Sequence, residues 1–285
     1  MVMADPARGD AIEVRNAAFS YDGSAFVFRN VGLEVGKGSI CCLMGVNGCG
    51  KSTLIDCVLG MNDCAEGQVS IGGVAVKGMK PKDLARFVSF VPQVHDRSFP
   101  YKVADIVLMG RTAYQGGLGI PDEEDRLMCE RALRHCRIEH LATRPYTQIS
   151  GGEMQMVMLA RALVQDTPFM VMDEPTAHLD FKNELIFEET VVELVKERNI
   201  GVILATHSPN QAFYFENAGV KTQVALMDAG SIRRFGAPRD VLTEQTLGEL
   251  YAMDVRIAEI DLGDGSVCRQ IVPVRTHGAH KGVRS

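Results

Sequence analysis

In the run Gly45-Val46-Asn47-Gly48-Cys49-Gly50-Lys51-Ser52-Thr53, four residues separate Gly45 from a Gly50-Lys51-Ser52 triplet. This spacing suits a loop whose backbone N–H groups converge on an anion, with a lysine charge and a hydroxyl at its end. The chemistry it implies is nucleotide binding: Lys51 reaches the β- and γ-phosphates, and Ser52 supplies a ligand to Mg²⁺. The run follows a continuous apolar stretch, "SICCLM", and precedes "STLIDCVLG", which reads as a helix stopping at Gly60. A helix N-terminus at that point adds its dipole to the anion site. Many unrelated nucleotide enzymes share such a loop, so the motif leaves the family open.

Two further stretches narrow the choice. "PFMVMDEP" leads an apolar run into Asp173, as in a buried strand that delivers a carboxylate to a magnesium site. Glu174 can then orient and deprotonate a water in line with the γ-phosphate. Adjacent acids at a strand end also serve as helix caps, but Pro175 and the preceding apolar run favour the catalytic reading. "ISGGEMQ", residues 149–155, places Ser150, Gly151 and Gly152 ahead of Glu153 at a helix start. That is a second site able to bind an anion, although Ser and Gly are also ordinary N-caps.

With these three motifs in order, the chain resembles the ATP-binding-cassette (ABC) ATPases, whose signature is usually Leu-Ser-Gly-Gly-Gln or -Glu. The resemblance implies that two subunits face head-to-tail, the signature residues Ser150, Gly151, Gly152 and Glu153 of one closing over ATP on the other's phosphate loop. It also implies roles for residues that carry no signal alone. Gln93 in "VPQ" matches the Q-loop glutamine that links the magnesium site to a helical insertion. His207 in "ILATHS" matches the switch histidine that contacts the γ-phosphate, Asp180 in "AHLD" the D-loop, and Tyr21 in "FSYDG" the aromatic that stacks on adenine. ATP and Mg²⁺ are the implied cofactors, with Ser52, Gln93 and Asp173 around the metal and Glu174, His207 and Lys51 acting in hydrolysis.

A finer resemblance, in "MGRTAYQG", "RPYTQISGGE" and "DEPTAHLDFKN", is to importer ATPases for iron–siderophore, haem and vitamin B12 complexes. It implies a homodimer of this chain on an integral-membrane permease dimer, served by an extracytoplasmic substrate-binding protein, with segment 109–116 in the lobe that contacts the permease. Val46, Ala113, Met154 and Met156 depart from the usual pattern without removing a charged group. A soluble cassette of iron–sulfur cluster assembly, and an importer ATPase for another metal, stay open. An unrelated kinase or GTPase does not fit: no Asn-Lys-x-Asp motif is present, and such an enzyme has no use for "ISGGE".

Positioning these groups requires a layered α/β architecture. Alternation over residues 11–14 and at Val31, Leu33 and Val35 predicts an antiparallel β layer. "QVSIGGVAV" predicts a hairpin around Gly72-Gly73, and "FVSFVPQ" a strand ending at Pro92. From about 100 to 163 the pattern turns helical, with Asp122 as a cap. Strand 169–172, helix 183–198, strand 202–205, helix 209–218 and a hairpin at Asp228-Ala229-Gly230 follow. The predicted fold is α/β: a P-loop (RecA-like) ATPase core over 11–245, with an N-terminal antiparallel β layer and an inserted helical subdomain. Residues 246–285 read as an extension with a helix, a hairpin turning at Gly263-Asp264-Gly265, and a basic tail.

Bulk properties set limits. A net charge of −6 over 285 residues argues against a broad nucleic-acid footprint, which needs clustered Lys and Arg. No apolar run approaches the roughly 20 residues that cross a bilayer, and the N-terminus lacks a signal-like stretch. The expectation is a protein held at the cytoplasmic face of the membrane through its permease. None of the eight cysteines forms a C-x-x-C pair. Cys41, Cys42 and Cys57 lie in apolar runs as small hydrophobes. Cys129, His135, Cys136 and His140 read as one helix rather than a metal site, and His277 and His280 make no stronger case. Cys49, at a helix N-terminus beside Lys51, is expected to have a lowered pKa, so that alkylating agents inhibit and ATP protects.

Overall fold

A computed structural model describes residues 10–93, 99–114, 120–177, 179–263 and 265–277. Strands β1 (Ala11–Phe19) and β2 (Phe28–Gly36) lead through a turn at Lys37-Gly38 into β3 (Ser39–Gly45), the glycine loop and helix α1 (Lys51–Val58). Strands β4 (Glu66–Ile71) and β5 (Val74–Ala75) precede α2 (Pro81–Leu84) and β6 (Val88–Val91). A helical stretch follows: α3 (Val103–Leu108), tightening into a 3₁₀ turn over Met109–Ala113, then α4 (Glu123–His135) and α5 (Gly151–Leu163). Alternation resumes with β7 (Phe169–Asp173), α6 (Phe181–Arg198), β8 (Gly201–Ala205), α7 (Pro209–Asn217), β9 (Lys221–Asp228) and β10 (Ser231–Gly236). The chain continues through α8 (Pro238–Val241) and α9 (Glu244–Tyr251) into β11 (Met253–Asp261) and β12 (Val267–Thr276).

The main sheet has the order β10-β9-β3-β8-β7-β6, parallel throughout except for the β9–β10 hairpin. A second, antiparallel sheet, β2-β1-β4-β5, pairs Val14 with Leu33 and Ile12 with Ile71. Its β4–β5 hairpin turns at Gly72 and Gly73, whose φ values of 58° and 75° suit glycine. Strand β3 shows why Ile40 to Met44 are all apolar after Ser39, whose buried hydroxyl donates to Gly36 O at 2.6 Å. Cys41 and Leu43 pack into the core shared with the antiparallel sheet and α1, and Ile40, Cys42 and Met44 into the core shared with the helices. A strand covered on both faces has no position left for an unpartnered polar side chain.

The expected elements are present, with small differences. Helix α8 was not anticipated from the sequence, and α9 starts at Glu244, one residue ahead of the expected boundary near 245. Asp122 caps helix α4, as expected. Its carboxylate accepts from Asp125 N–H, and the Asp125 carboxylate accepts from Asp122 N–H in return. Cys129 and Cys136 lie in the helical core, so their thiols pack as hydrophobes. The hairpin turn at Asp264, the end of segment 109–116, His280 and the end of the basic tail fall outside the described residues. No helix among the described residues is long and apolar enough to cross a membrane.

Candidate functional site

The glycine loop joins the C-terminal end of β3 to α1 at the edge where β7 and β8 also end, so three parallel strands deliver their last residues to one place. Gly45 has φ 155°, and a Cβ there would lie 2.2 Å from Met227 O. Gly48 and Gly50 take φ values of 77° and 105°. The loop thus needs glycine once for close approach and twice for backbone direction. Val46 is half-buried, Asn47 and Gly48 face solvent, and Thr53 is turned inward. Lys51 is buried, and its Nζ donates to Gly45 O at 2.9 Å, closing the loop on itself.

Glu174 is the hub of the cluster. Its carboxylate lies 3.9 Å from Lys51 Nζ, accepts from Gln93 Nε2 at 2.9 Å and sits 2.5 Å from His207 Nε2. These four residues come from β3–α1, the end of β6, the end of β7 and the end of β8. Glu174 itself has φ 47°, a left-handed conformation held by a hydrogen bond from its N–H to Ala205 O at 3.0 Å. That turn swings its side chain toward Lys51 and His207.

Asp173, one residue earlier, has a buried Oδ1 with no hydrogen-bond partner. Burial pushes its carboxyl up and the Glu174 charge adds to this, while a Ser52 hydrogen bond and Lys51 pull it down. A buried carboxylate oxygen with a free lone pair and a serine hydroxyl on the same group form an oxygen set at the strand end, while Gln93 is held by its bond to Glu174. Such a set suits a hard divalent cation such as Mg²⁺.

Tyr21 lies at the rim, 70% exposed, with its hydroxyl 3.4 Å from Thr53 Oγ1 and its ring edge-on to Phe19.

The signature residues form a separate group. Ser150 caps α5: its Oγ accepts from Glu153 N–H at 3.2 Å, and the Glu153 carboxylate accepts from Ser150 N–H at 2.7 Å. Gly151 borders open space, whereas a Cβ on Gly152 would come within 2.8 Å of Asn183 Nδ2. Asn183 in turn donates to Asp180, the cap of α6, from both its backbone and its side chain. Ser150, Gly151, Gly152, Glu153 and Asp180 therefore make one patch, exposed at Ser150 and Asp180 and half-buried between them. Among the described residues the hydrogen bonds of the Ser150 and Glu153 side chains join these two residues to each other, and none reaches the phosphate loop.

One expectation is overturned. Cys49 is 4% exposed, and its Sγ would lie 2.7 Å from a Cβ on Gly45. The side chain points into the core beneath the loop rather than toward the anion side. Burial pushes the thiol up and outweighs Lys51 and the backbone N–H groups that pull it down. Cys49 is packing, and the expected reactivity toward alkylating agents has no basis there.

The sequence also gave no hint of a polar chain behind the site. Thr206 Oγ1 donates to Gln211 Oε1 at 2.6 Å, and Gln211 Nε2 donates to Thr176 Oγ1 at 2.8 Å and Glu184 Oε1 at 3.1 Å. This chain ties the segment carrying His207 to the one following Glu174. No spacing marks Gln211, since a glutamine on an amphipathic helix is ordinary.

The described arrangement has known counterparts. The family model for ABC transporters matches residues 28–177. The molybdate import ATP-binding protein MolC of Haemophilus influenzae is 32% identical over 85% of this chain and 88% of its own length. The hemin import ATP-binding protein HmuV of Thermobifida fusca is 32% identical over 85% of this chain and 82% of its own. A solved transporter assigned to the metal-chelate type, in an inward-facing conformation, superposes with a TM-score of 0.80 at 30% identity, covering 93% of this chain and 97% of that one. With a phosphate loop, an Asp173–Glu174 strand end and a Ser-Gly-Gly helix cap in that fold, the chain belongs to the ABC transporter family as an ATP-binding, ATP-hydrolysing subunit.

Proposed function

We propose that this chain energises an importer for an iron chelate, haem or cobalamin, working as a homodimer on a membrane permease dimer at the cytoplasmic face. The observation that carries the mechanism is the convergence of Lys51, Gln93 and His207 on Glu174, next to the unpartnered Asp173 oxygen. Lys51 and the loop N–H groups hold the β- and γ-phosphates, and Tyr21 stacks on the adenine. Ser52, Asp173 and Gln93 hold Mg²⁺, which neutralises phosphate charge when bound. Glu174 accepts the proton of the attacking water, and His207, beside that carboxylate, orients the γ-phosphate. Ser150, Gly151, Gly152 and Glu153 of the partner subunit cover the phosphates, and Asp180 lies at the joint between the two sites.

The permease reading is supported by a groove where the helical stretch meets the main sheet. It is lined by Leu59, Met61, Leu84, Phe90, Met109 and Ala113, with Met61 and Met109 exposed. An apolar groove of this kind suits a short helix of a membrane partner. The importer reading is further supported by the hemin import relative and the metal-chelate transporter. A second reading, import of a metal oxyanion, is favoured by the molybdate import relative at equal identity.

The test is reconstitution with the neighbouring permease and its binding protein, measuring ATP hydrolysis with a siderophore complex, haem, cobalamin or molybdate. Stimulation by one of the first three supports the proposal. Stimulation by molybdate alone selects the second reading, and co-purification with a soluble scaffold in place of the permease overturns both.

A further inference from the structure

The segment that carries His207 is gripped from two sides by consecutive amides. Gln211 takes one side, through Thr206, Thr176 and Glu184. Asn210, three residues after His207, takes the other. It is the second residue of α7 (Pro209–Asn217), a helix whose start has no side-chain cap. An asparagine near a helix start commonly bonds its own local backbone. This one reaches instead to the C-terminal hairpin: its Oδ1 accepts from Ile271 N–H at 2.7 Å, and its Nδ2 donates to Ile271 O at 3.3 Å.

The hairpin presents a matching edge. Ile271 of β12 faces Ile257 of β11 at a register position where both backbones point outward. On the far edge Ile257 N–H donates to Glu244 Oε1 at 3.1 Å, and on the near edge Asn210 meets the N–H and C=O of Ile271 as a neighbouring strand would. Ile271 and Val255 are buried in the core shared with the helices, which seats the hairpin against α7. Beside the clasp lies a cavity of about 400 Å³, lined by Glu174 and His207 and by Met253, Ile271 and Pro273 of the hairpin. His207 is exposed and in contact with Glu174, so the direction of its ring is set by the backbone that the two amides hold.

We propose that Asn210 is a positioning residue for ATP hydrolysis, fastening the His207 segment to the C-terminal hairpin, and that β11–β12 is the fixed support against which the histidine is held. Asn210 acts through His207, so the inference rests on His207 working at the γ-phosphate. A misdirected histidine leaves the loop that binds ATP intact and slows the chemical step.

The test is steady-state ATP hydrolysis by the full-length protein, with active sites counted by nucleotide binding so that misfolded protein does not enter the rate. Asn210→Ala should lower kcat by about tenfold to a hundredfold and leave KM for ATP within about twofold of wild type. Asn210→Asp keeps the shorter bond, to Ile271 N–H, and should retain a rate between the two. His207→Ala, assayed alongside, separates the two levels of the argument. If His207→Ala is inactive while Asn210→Ala keeps the wild-type kcat, the histidine's role stands and the clasp is overturned, even where urea unfolding shows lost stability. A loss confined to KM, or an aspartate variant no faster than alanine, also overturns it. If His207→Ala hydrolyses ATP like wild type, the role of the histidine falls and this inference with it.

Discussion

Glu174 holds a left-handed backbone, φ 47°, that no glutamate adopts without cause. The strain is on the order of 1–3 kcal/mol, and such strain collects where a side chain must be aimed. Here it aims a carboxylate between Lys51 and His207, and Glu174→Gln keeps the shape while removing the base. Hydrolysis should fall on the order of 10²–10⁴-fold with ATP affinity retained, read by single-turnover kinetics beside nucleotide titration. Wild-type turnover in that variant would assign the base elsewhere. Gly45 makes the complementary prediction: a Cβ would stand 2.2 Å from the Met227 carbonyl, and backbone cannot step aside as a side chain can. Gly45→Ala should cost about 1–3 kcal/mol of stability and weaken ATP binding more than tenfold, checked by denaturant unfolding and nucleotide titration.

Asp180 caps helix α6, whose buried side packs into the core shared with the main sheet. Glu188 on that side is buried, and burial pushes its carboxyl up to about 7, with the Glu184 charge adding and a Gln211 hydrogen bond opposing. A raised folded-state value means that the folded chain binds the proton more tightly than the unfolded chain. Stability therefore declines as pH rises from about 4.5 through 7, by up to about 3 kcal/mol. Glu188→Gln should match wild type below that window and exceed it above, read from urea midpoints at pH 4.5 and pH 8. Equal midpoints at pH 8 would mean that Glu188 stays charged and solvated. The same helix meets Gln211, which bridges Thr206, Thr176 and Glu184, so a protonation change at Glu188 faces the polar chain behind the site.

At the scale of the whole molecule, the signature patch and the phosphate loop sit on different parts of one chain, joined by no hydrogen bond among the described residues. On the proposed head-to-tail arrangement a complete site takes its signature residues from a second copy, and that dependence can be tested by complementation. Ser150→Arg and Lys51→Ala should each abolish hydrolysis as homodimers. A mixed dimer keeps one intact site, so an equal mixture should recover roughly a quarter of the wild-type rate, half the dimers being mixed. A mixture as inactive as its components would place both motifs in one site within one chain. Ser150→Arg also removes a capping box, a cost of about 1 kcal/mol that should leave ATP binding in place.

Linear spacing was enough to identify the chemistry of this protein. The phosphate loop, the Asp173–Glu174 pair and the Ser-Gly-Gly cap are local motifs, because each must place backbone and side chain within one turn of an anion or metal. The two-faced burial of β3 was also written in its unbroken apolar run. Burial and convergence were not. Cys49 stands beside Lys51 in sequence, yet packing from Gly45 and the core beneath it decides its thiol in the opposite direction from the one its neighbours suggest. Gln93, Glu174 and His207 come from three strand ends spread over more than a hundred residues, and only the parallel register of the sheet brings them to one carboxylate. Spacing reports what a segment can bind; desolvation and contact depend on the segments packed against it, and these the tertiary structure supplies.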